Sequence, residues 1–197
     1  MDRAVKNGEW KKIPGRSLSE CTLGVIGVGN IGKAVLRRAR GFGMKLLGND
    51  IIPIAPDFLV ENGVDMTDLD SLLRKSDFIS INCTMNSTSR HLINEKTLDL
   101  VKPNAVIINI ARGSIIDETA LVSALKEKKL AGAALDVFEV EPLPDNSPLK
   151  KMDNVMLAPH NSNSSPTAWE RVHWNTILNL LNGLSIKHPD FEEMKNM

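Results

Sequence analysis

The sequence TLGVIGVGNIG, residues Thr22–Gly32, joins an apolar run to a glycine-rich turn and the start of an amphipathic stretch. The run Thr22–Ile26 predicts a buried strand. The turn has the spacing G-x-G-x-x-G, in which Gly27 permits a tight turn, Gly29 lets a phosphate group approach the backbone, and Gly32 allows helix and strand to pack closely. The motif alone would be weak evidence, but a strand before it and a helix after it are the context that it requires.

Short apolar runs alternate with amphipathic stretches along the rest of the chain. Several runs are apolar at successive positions, which is typical of strands covered on both faces. The alternation predicts an α/β fold, a doubly wound parallel sheet of six or seven strands with right-handed crossovers. The predicted strands are Thr22–Ile26, Met44–Leu47, Phe78–Ile81, Ala105–Ile110, Ala131–Leu135 and Asn154–Leu157.

Four helices are predicted between and after these strands. The first opens at Ile31 and stops at Gly41 and Gly43. The others are Asp68–Lys75 with Thr67 as its cap, a helix from Asp117 or Glu118 through Lys128, and a last helix with Ser165 as cap and Pro166 at its first position. An apolar stripe runs along this last helix from Trp169 to Leu184, and we expect part of it to be exposed.

Composition excludes several classes of protein. Among 197 residues, 24 Lys and Arg balance 24 Asp and Glu, which argues against a basic nucleic-acid surface or a polybasic membrane segment. No apolar run approaches the roughly 18 residues of a membrane helix, and residues 1–8 lack the apolar core of a signal peptide. With only Cys21 and Cys83, we expect no disulfide framework, no metal site and a reducing, cytoplasmic compartment.

Asp50 lies at the end of the second predicted strand, 18 residues after Gly32. A carboxylate there can accept hydrogen bonds from the ribose hydroxyls of an adenosine and repel the extra phosphate of NADP. The following Ile51 and Ile52 supply no compensating arginine. We therefore expect NAD rather than NADP as cofactor, with a surface aspartate and a ligand-free glycine turn as the alternatives.

Three polar residues follow other predicted strands. Arg112 comes after Ala105–Ile110, while Glu141 and His160 come after the two later strands. Ligands bind at the carboxyl ends of the strands in open α/β sheets, so an arginine, a carboxylate and a histidine there can handle a substrate with a carboxylate and a carbonyl. Taken singly, each has a structural alternative: a paired arginine, a solvated glutamate and a structural histidine.

The motifs together resemble one family, the D-isomer-specific 2-hydroxyacid dehydrogenases, through its Rossmann-type NAD-binding domain. The likeness runs from about Trp10 to about Leu184. The segments that carry it, in the family's order, are Gly27–Gly32, Ser89–Asn94, Asn109–Gly113, Leu135–Pro142 and Ala158–His160.

This resemblance implies a role for each polar residue. Arg112 would hold the substrate carboxylate and polarise the keto oxygen. His160 would exchange a proton with that oxygen, and Glu141 would bond the other ring nitrogen and raise the pKa of the histidine. Asp136 would orient the nicotinamide amide. The full set of expected cofactor contacts is Gly27, Gly29, Asn30, Ile31, Gly32, Asp50, Cys83, Thr84, Ala111, Arg112, Asp136 and His160.

The chain departs from the family in two places. Asn82 and Thr84 stand where the family commonly has a histidine and a proline, and Asn161 to Ser164 make the surroundings of His160 more polar. We expect the family's substrate domain to be largely missing, since about 21 residues precede the first strand. We expect a remnant of the interdomain segment at 1–20, a dinucleotide-binding domain at 21–165, and a helix and tail at 166–197.

Function follows as an expectation. The resemblance implies hydride transfer between NAD(H) and a small 2-hydroxy or 2-keto acid, carried out by a homodimer. A shortened chain of this kind, whether truncated, split or a gene remnant, would bind NAD with little turnover alone. One alternative is a non-catalytic NAD-sensing module, because the family also resembles transcriptional corepressors. Another is an unrelated dehydrogenase that shares only the glycine turn, which would leave Asn109–Gly113 and Asp136–Pro142 unexplained.

Overall fold

Seven parallel strands form one sheet in the computed structural model, which describes residues 2–12, 14–162 and 164–185. The order across the sheet is β3-β2-β1-β4-β5-β6-β7. The chain builds outward from β1 on one side and then crosses to β4, so a switch point lies between β1 and β4. The strands are β1 (Thr22–Ile26), β2 (Lys45–Asn49), β3 (Val64–Met66), β4 (Phe78–Ile81), β5 (Val106–Asn109), β6 (Gly132–Leu135) and β7 (Val155–Leu157).

Helices connect the successive strands of the sheet. None in the described part of the chain is both long and apolar enough to span a membrane. The α-helices are α1 (Asp2–Lys6), α2 (Asn30–Arg40), α3 (Pro56–Asn62), α4 (Leu69–Lys75), α5 (Glu95–Leu98), α6 (Glu118–Lys126) and α7 (Pro166–Gly183), with short 3₁₀ turns at Leu18–Glu20, Gly113–Ile115 and Pro148–Lys151.

Two buried clusters cover the two faces of the sheet. Val25 belongs to one cluster with Leu36 of α2, and the next residue, Ile26, belongs to the other with Leu72 of α4. Side chains of successive strand residues point to opposite faces, so both faces of β1 are covered by apolar groups. This arrangement explains the unbroken apolar runs in the sequence and confirms the predicted α/β class.

The structure corrects several predicted boundaries. All six predicted strands form, but β2 is Lys45–Asn49 rather than Met44–Leu47, and α6 ends at Lys126 rather than Lys128. Thr67 is not the cap of α4: the Asp68 carboxylate accepts a 2.8 Å hydrogen bond from the Ser71 amide, which makes Asp68 the cap.

The chain divides into two compact units after Pro159. The sheet and α1–α6 belong to Met1–Pro159, and α7 belongs to His160–Met197. As predicted, Ser165 caps α7 by accepting a hydrogen bond from the Ala168 amide. Much of the apolar stripe on α7 is exposed, including Trp169 at 52% and Leu180 at 61%, which also agrees with the prediction.

Candidate active site

A cleft of about 460 Å³ opens at the carboxyl ends of β1, β2 and β4, at the switch point of the sheet. Its position is the one at which open α/β sheets bind ligands. The lining residues are Ile26, Gly27, Gly29, Asn49, Asp50, Ile51, Ile52, Leu69, Asn82, Cys83, Thr84, Asn86, Thr88, Ser89 and Leu92.

The glycine turn closes one side of the cleft. Gly27 has a φ of +91°, which glycine adopts without steric cost, and a Cβ at this position would overlap the backbone of Cys83. The Gly27 amide donates a 2.8 Å hydrogen bond to the carbonyl of Asn49, and the Asn82 amide donates to the carbonyl of Ile26 at 2.7 Å. The turn is therefore held against the ends of both β2 and β4.

Helix α2 starts at this turn with Gly29 as its N-cap. A Cβ on Gly32 would overlap the carbonyl of Gly27, so the glycine permits the close contact between helix and turn. At Gly29, by contrast, a Cβ would meet no atom within 4 Å. The first amides of an α-helix lack intrahelical acceptors and carry the positive end of its dipole, so this open space suits a phosphate group.

Asp50 follows β2 directly and faces the turn. Its Oδ2 accepts a 2.7 Å hydrogen bond from the Val28 amide, and its Oδ1 accepts one of 2.9 Å from the Ile52 amide. Each carboxylate oxygen has capacity for a further hydrogen bond, so the fixed carboxylate can still receive the hydroxyls of a ribose.

The loop after β4 forms the opposite wall. The side-chain Nδ2 of Asn82 donates hydrogen bonds to the carbonyl and hydroxyl of Ser80. Its buried Oδ1 accepts no hydrogen bond from the described residues. An unpaired buried acceptor beside a cleft fits a ligand that donates a hydrogen bond there. Cys83 is half-buried, and burial together with the nearby Asp50 charge raises the pKa of its thiol. Thr84 accepts a 2.8 Å hydrogen bond from the Ser89 hydroxyl through its carbonyl.

Arg112 lies in a tight loop after β5. The buried Asn109 side chain closes that loop, since its Nδ2 donates to the Arg112 carbonyl at 2.9 Å and its Oδ1 accepts from the Ala111 amide at 3.1 Å. The guanidinium itself is exposed and donates to the Ala111 carbonyl at 2.6 Å. The loop therefore presents a cationic group at the carboxyl end of the sheet.

Asp136 and Glu141 lie in the loop after β6. Asp136 is 6% exposed, and its amide donates to the Asn109 carbonyl at 3.0 Å. Glu141 is exposed and accepts a 3.0 Å hydrogen bond from the Phe138 amide. A Cβ on Gly113 would overlap the Phe138 carbonyl, so the loops that carry Arg112 and Glu141 are in direct backbone contact.

His160 is the first residue of the second unit and follows β7 by three positions. It is exposed and has a φ of +53°, in the left-handed region that histidine enters more readily than most residues. The unit that contains it continues into α7.

The predicted residues separate into four groups. Gly27, Gly29, Asp50, Cys83 and Thr84 line the cleft, and Asn30, Ile31 and Gly32 form the first turn of α2. Ala111, Arg112 and Asp136 follow β5 and β6, and His160 lies in the second unit. The wall residues Asn86, Thr88, Ser89 and Leu92 were not predicted as contacts. Their polar stretch indicates a loop, but nothing local shows that this loop folds over the switch point. Among the described residues, no group of His, Cys, Asp and Glu could hold a metal ion.

A family model and several known proteins match this chain. Residues 1–162 match the family model "D-isomer specific 2-hydroxyacid dehydrogenase, NAD binding domain". A glyoxylate reductase of Korarchaeum cryptofilum is 44% identical over 170 residues, which are 83% of this chain and 51% of that protein. The chain thus spans about half the length of that relative.

Two solved structures are similar in fold and sequence. D-lactate dehydrogenase of Aquifex aeolicus, complexed with NAD and lactic acid, has a TM-score of 0.83 against this chain. The two are 31% identical over 98% of this chain and 62% of that one. A D-isomer specific 2-hydroxyacid dehydrogenase of Xanthobacter autotrophicus, in complex with NADPH and MES, has a TM-score of 0.73 and 36% identity over 81% of this chain and 50% of its own.

Proposed function

This chain belongs to the D-isomer-specific 2-hydroxyacid dehydrogenases and carries their NAD-binding domain. We propose that it serves hydride transfer between NAD(H) and a small 2-hydroxy or 2-keto acid. The observation that carries the proposal is the cleft at the switch point, with the open space at Gly29 on one side and the fixed carboxylate of Asp50 on another.

The proposed cofactor contacts use the groups that the cleft presents. The amides of Asn30, Ile31 and Gly32 hold the pyrophosphate at the start of α2. Asp50 accepts the ribose hydroxyls and disfavours a 2′-phosphate through its charge, so NAD is preferred to NADP. Asn82 Oδ1 accepts a hydrogen bond from the adenosine half of the cofactor.

The proposed chemistry uses the loops after β5, β6 and β7. When bound, the nicotinamide ring supplies or accepts the hydride. Arg112 binds the substrate carboxylate through its planar guanidinium and polarises the keto oxygen. His160 gives that oxygen a proton in reduction and takes it back in oxidation. Glu141 fixes the tautomer of the His160 imidazole, and Asp136 orients the nicotinamide amide.

The substrate side of the reaction needs more than these loops. Hydride transfer requires near-attack geometry and exclusion of water, whereas Arg112 and Glu141 are exposed to solvent. We therefore expect the 197-residue chain to bind NADH and to reduce 2-keto acids slowly by itself.

Calorimetry and a reduction assay test the proposal together. NADH should bind the chain more tightly than NADPH, and tighter NADPH binding would refute the cofactor assignment. Turnover with glyoxylate, hydroxypyruvate and pyruvate should stay below about 1 per second, since a higher rate would mean that the exposed loops exclude water well enough by themselves. In a form that turns over, His160→Gln should abolish reduction. Unchanged reduction would contradict the proposed role of His160, and a phenotype that this substitution leaves untouched would support the NAD-sensing alternative.

The expected homodimer and the cytoplasmic compartment are part of this proposal. The described cysteines are both free thiols, which suits a reducing compartment. Sedimentation of the purified chain at several concentrations tests the dimer, since a species of one chain at all concentrations would contradict it.

A further inference from the structure

His91 occupies an unusual backbone conformation in the loop after β4. Its φ is +47°, in the left-handed region. Hydrogen bonds to both backbone groups of His91 hold it there. Its amide donates to the Ser114 carbonyl at 2.9 Å, and its carbonyl accepts from the side-chain Nδ2 of Asn94 at 2.8 Å. Ser114 lies two residues after Arg112, so the backbone of His91 is bonded to the arginine loop.

The side chain of His91 reaches a different loop. Its Nε2 is 2.5 Å from Oε1 of Glu139, and Glu139 lies two residues before Glu141. The backbone of this second loop is held by side chains as well. The Glu139 amide donates to Glu118 of α6 at 3.3 Å, and the Phe138 amide donates to Glu141 at 3.0 Å. The imidazole is therefore bonded to the loop that presents Glu141.

The same segment that contains His91 also forms a wall of the cofactor cleft. Thr84, Asn86, Thr88 and Ser89 line that cleft just before His91 in the chain. One residue thus joins three parts of the site: the cofactor wall through its own loop, the arginine loop through its backbone, and the glutamate loop through its imidazole.

We propose that His91 is a positioning residue, which holds the loops of Arg112 and Glu141 in register with each other and with the cofactor cleft. The roles of Arg112 and Glu141 in this statement rest on the proposed function, whereas the bonds that His91 makes do not. Small displacements of reacting groups reduce rates strongly, so a site spread over three loops needs a connection of this kind.

The pair is exposed enough to act locally rather than on the whole fold. The side chain of His91 is 36% exposed and that of Glu139 is 29% exposed. Ion pairs of this exposure contribute little to the free energy of unfolding. Loss of the contact should therefore loosen the two loops and leave the unfolding temperature nearly unchanged.

Two variants remove the contact from opposite sides. His91→Asn is too short to reach Glu139 but tolerates the left-handed backbone. Glu139→Ala removes the acceptor and leaves His91 in place. Glu139→Gln keeps an acceptor oxygen and serves as the conservative rescue. His173→Asn, at an exposed position on α7, is the matched control.

Amide hydrogen exchange of the 197-residue chain, without cofactor, is the measurement. In His91→Asn and Glu139→Ala, the Phe138 and Glu139 amides should exchange about threefold to fivefold faster after correction for intrinsic rates, while amides in β1 keep their rates. Glu139→Gln should recover most of the protection, and His173→Asn should change none of it.

The outcomes are separable. Wild-type exchange at Phe138 and Glu139 in both variants would overturn the proposal, as would a uniform acceleration with a lower unfolding temperature, because that would indicate an ordinary structural contact. Failure of NADH to bind the wild-type chain would overturn the proposed function, and the exchange rates would still decide the role of His91.

Discussion

The backbone amide of Val28 donates a 2.7 Å hydrogen bond to Oδ2 of Asp50. The bond joins the middle of the glycine turn to the residue that follows β2. It fixes the carboxylate at the side of the cleft where the adenosine ribose is proposed to bind. The Ile52 amide donates a hydrogen bond to the other carboxylate oxygen of Asp50. The two bonds together orient Asp50 before any cofactor arrives.

Replacement of Asp50 should change which cofactor binds. Asp50→Asn removes the negative charge, which disfavours a 2′-phosphate. It also removes one of the two acceptor oxygens. We expect NADH to bind about tenfold more weakly and the preference over NADPH to shrink, as the loss of one charge-assisted hydrogen bond implies. Calorimetry with both cofactors measures this. Asp65→Asn, at an exposed position of β3, should leave both affinities unchanged. An unaltered ratio in Asp50→Asn would contradict the proposed role.

Two glycines of the turn should respond differently to the same substitution. Gly27→Ala places a methyl group against the Cys83 backbone at a φ of +91°, so we expect a loss of about 2 to 4 kcal/mol in the free energy of unfolding. Gly29→Ala meets open space at a φ of −77°, so its free energy of unfolding should fall by no more than about 1 kcal/mol, the cost of alanine at an N-cap.

Cofactor binding then separates the two positions. The methyl group of Gly29→Ala occupies the space proposed for the pyrophosphate, and NADH should bind at least about tenfold more weakly to a fully folded protein. Urea unfolding and calorimetry on the same samples give both quantities. Normal NADH affinity in Gly29→Ala would place the phosphate somewhere else.

Asp77 should be a stabilising residue at the opposite edge of the sheet. Its carboxylate, 6% exposed, accepts hydrogen bonds from the Thr22 amide, Arg16 and Lys102. We expect Asp77→Asn to lower the free energy of unfolding by about 2 kcal/mol at pH 7, because buried bonds to a charged group are lost. Urea unfolding measures the change, and exposed Asp153→Asn should stay within about 0.5 kcal/mol of wild type.

The effect of Asp77 should also depend on pH. Burial alone would raise the pKa of Asp77, but the hydrogen bonds from Thr22, Lys102 and Arg16 outweigh burial and hold the pKa below its usual value. The ionised form is thus favoured by folding, and its contribution is present above the unfolded pKa of about 3.9 and lost as the pH falls through the lower folded pKa. The difference in the free energy of unfolding between wild type and Asp77→Asn should shrink as the pH falls from about 5 to about 2. A constant difference would contradict the ion pairs.

Cys83 should react slowly with alkylating agents and more slowly with cofactor bound. Burial raises the pKa of its thiol, and the charge of Asp50 raises it further, so little of the reactive thiolate is present at neutral pH. We expect iodoacetamide to modify Cys83 about tenfold more slowly than a free thiol of ordinary pKa. Mass spectrometry with and without NADH follows the reaction, and Cys83→Ser identifies the site. A rate equal to that of glutathione, or no protection by NADH, would contradict the position of the thiol in the cleft.

The strongest local patterns were sufficient to predict much of the fold. Thr22–Ile26 with the glycine turn predicted β1, the turn and α2, and the order of apolar runs predicted the parallel sheet. Strand β3 was missed because a strand of three residues with Asp65 at its centre has no apolar pattern of its own. Helix α3, which precedes β3, was missed as well. Strand β2 extends through Gly48 and Asn49, residues with low strand propensity, because they pair with Val25 and Ile26 of β1.

Site residues divide in the same way. Asp50 and Arg112 were predicted because their place after a strand brings them to one edge of the sheet whatever the loops do. The contact of His91 with Glu139 joins residues 48 positions apart, and no spacing rule connects them. The cap of α4 was assigned to Thr67, since either neighbour suits the position, and backbone geometry selected Asp68.

By itself the sequence determined the elements that depend on neighbours along the chain: the buried strands, the turn that only glycine can make, and the residues that follow each strand. Tertiary structure alone decided which loops meet, through the contact of Gly113 with Phe138 and the bonds of His91. The physical reason is that local propensity and periodicity act over a few residues, whereas the approach of two loops depends on the packing of the whole sheet beneath them.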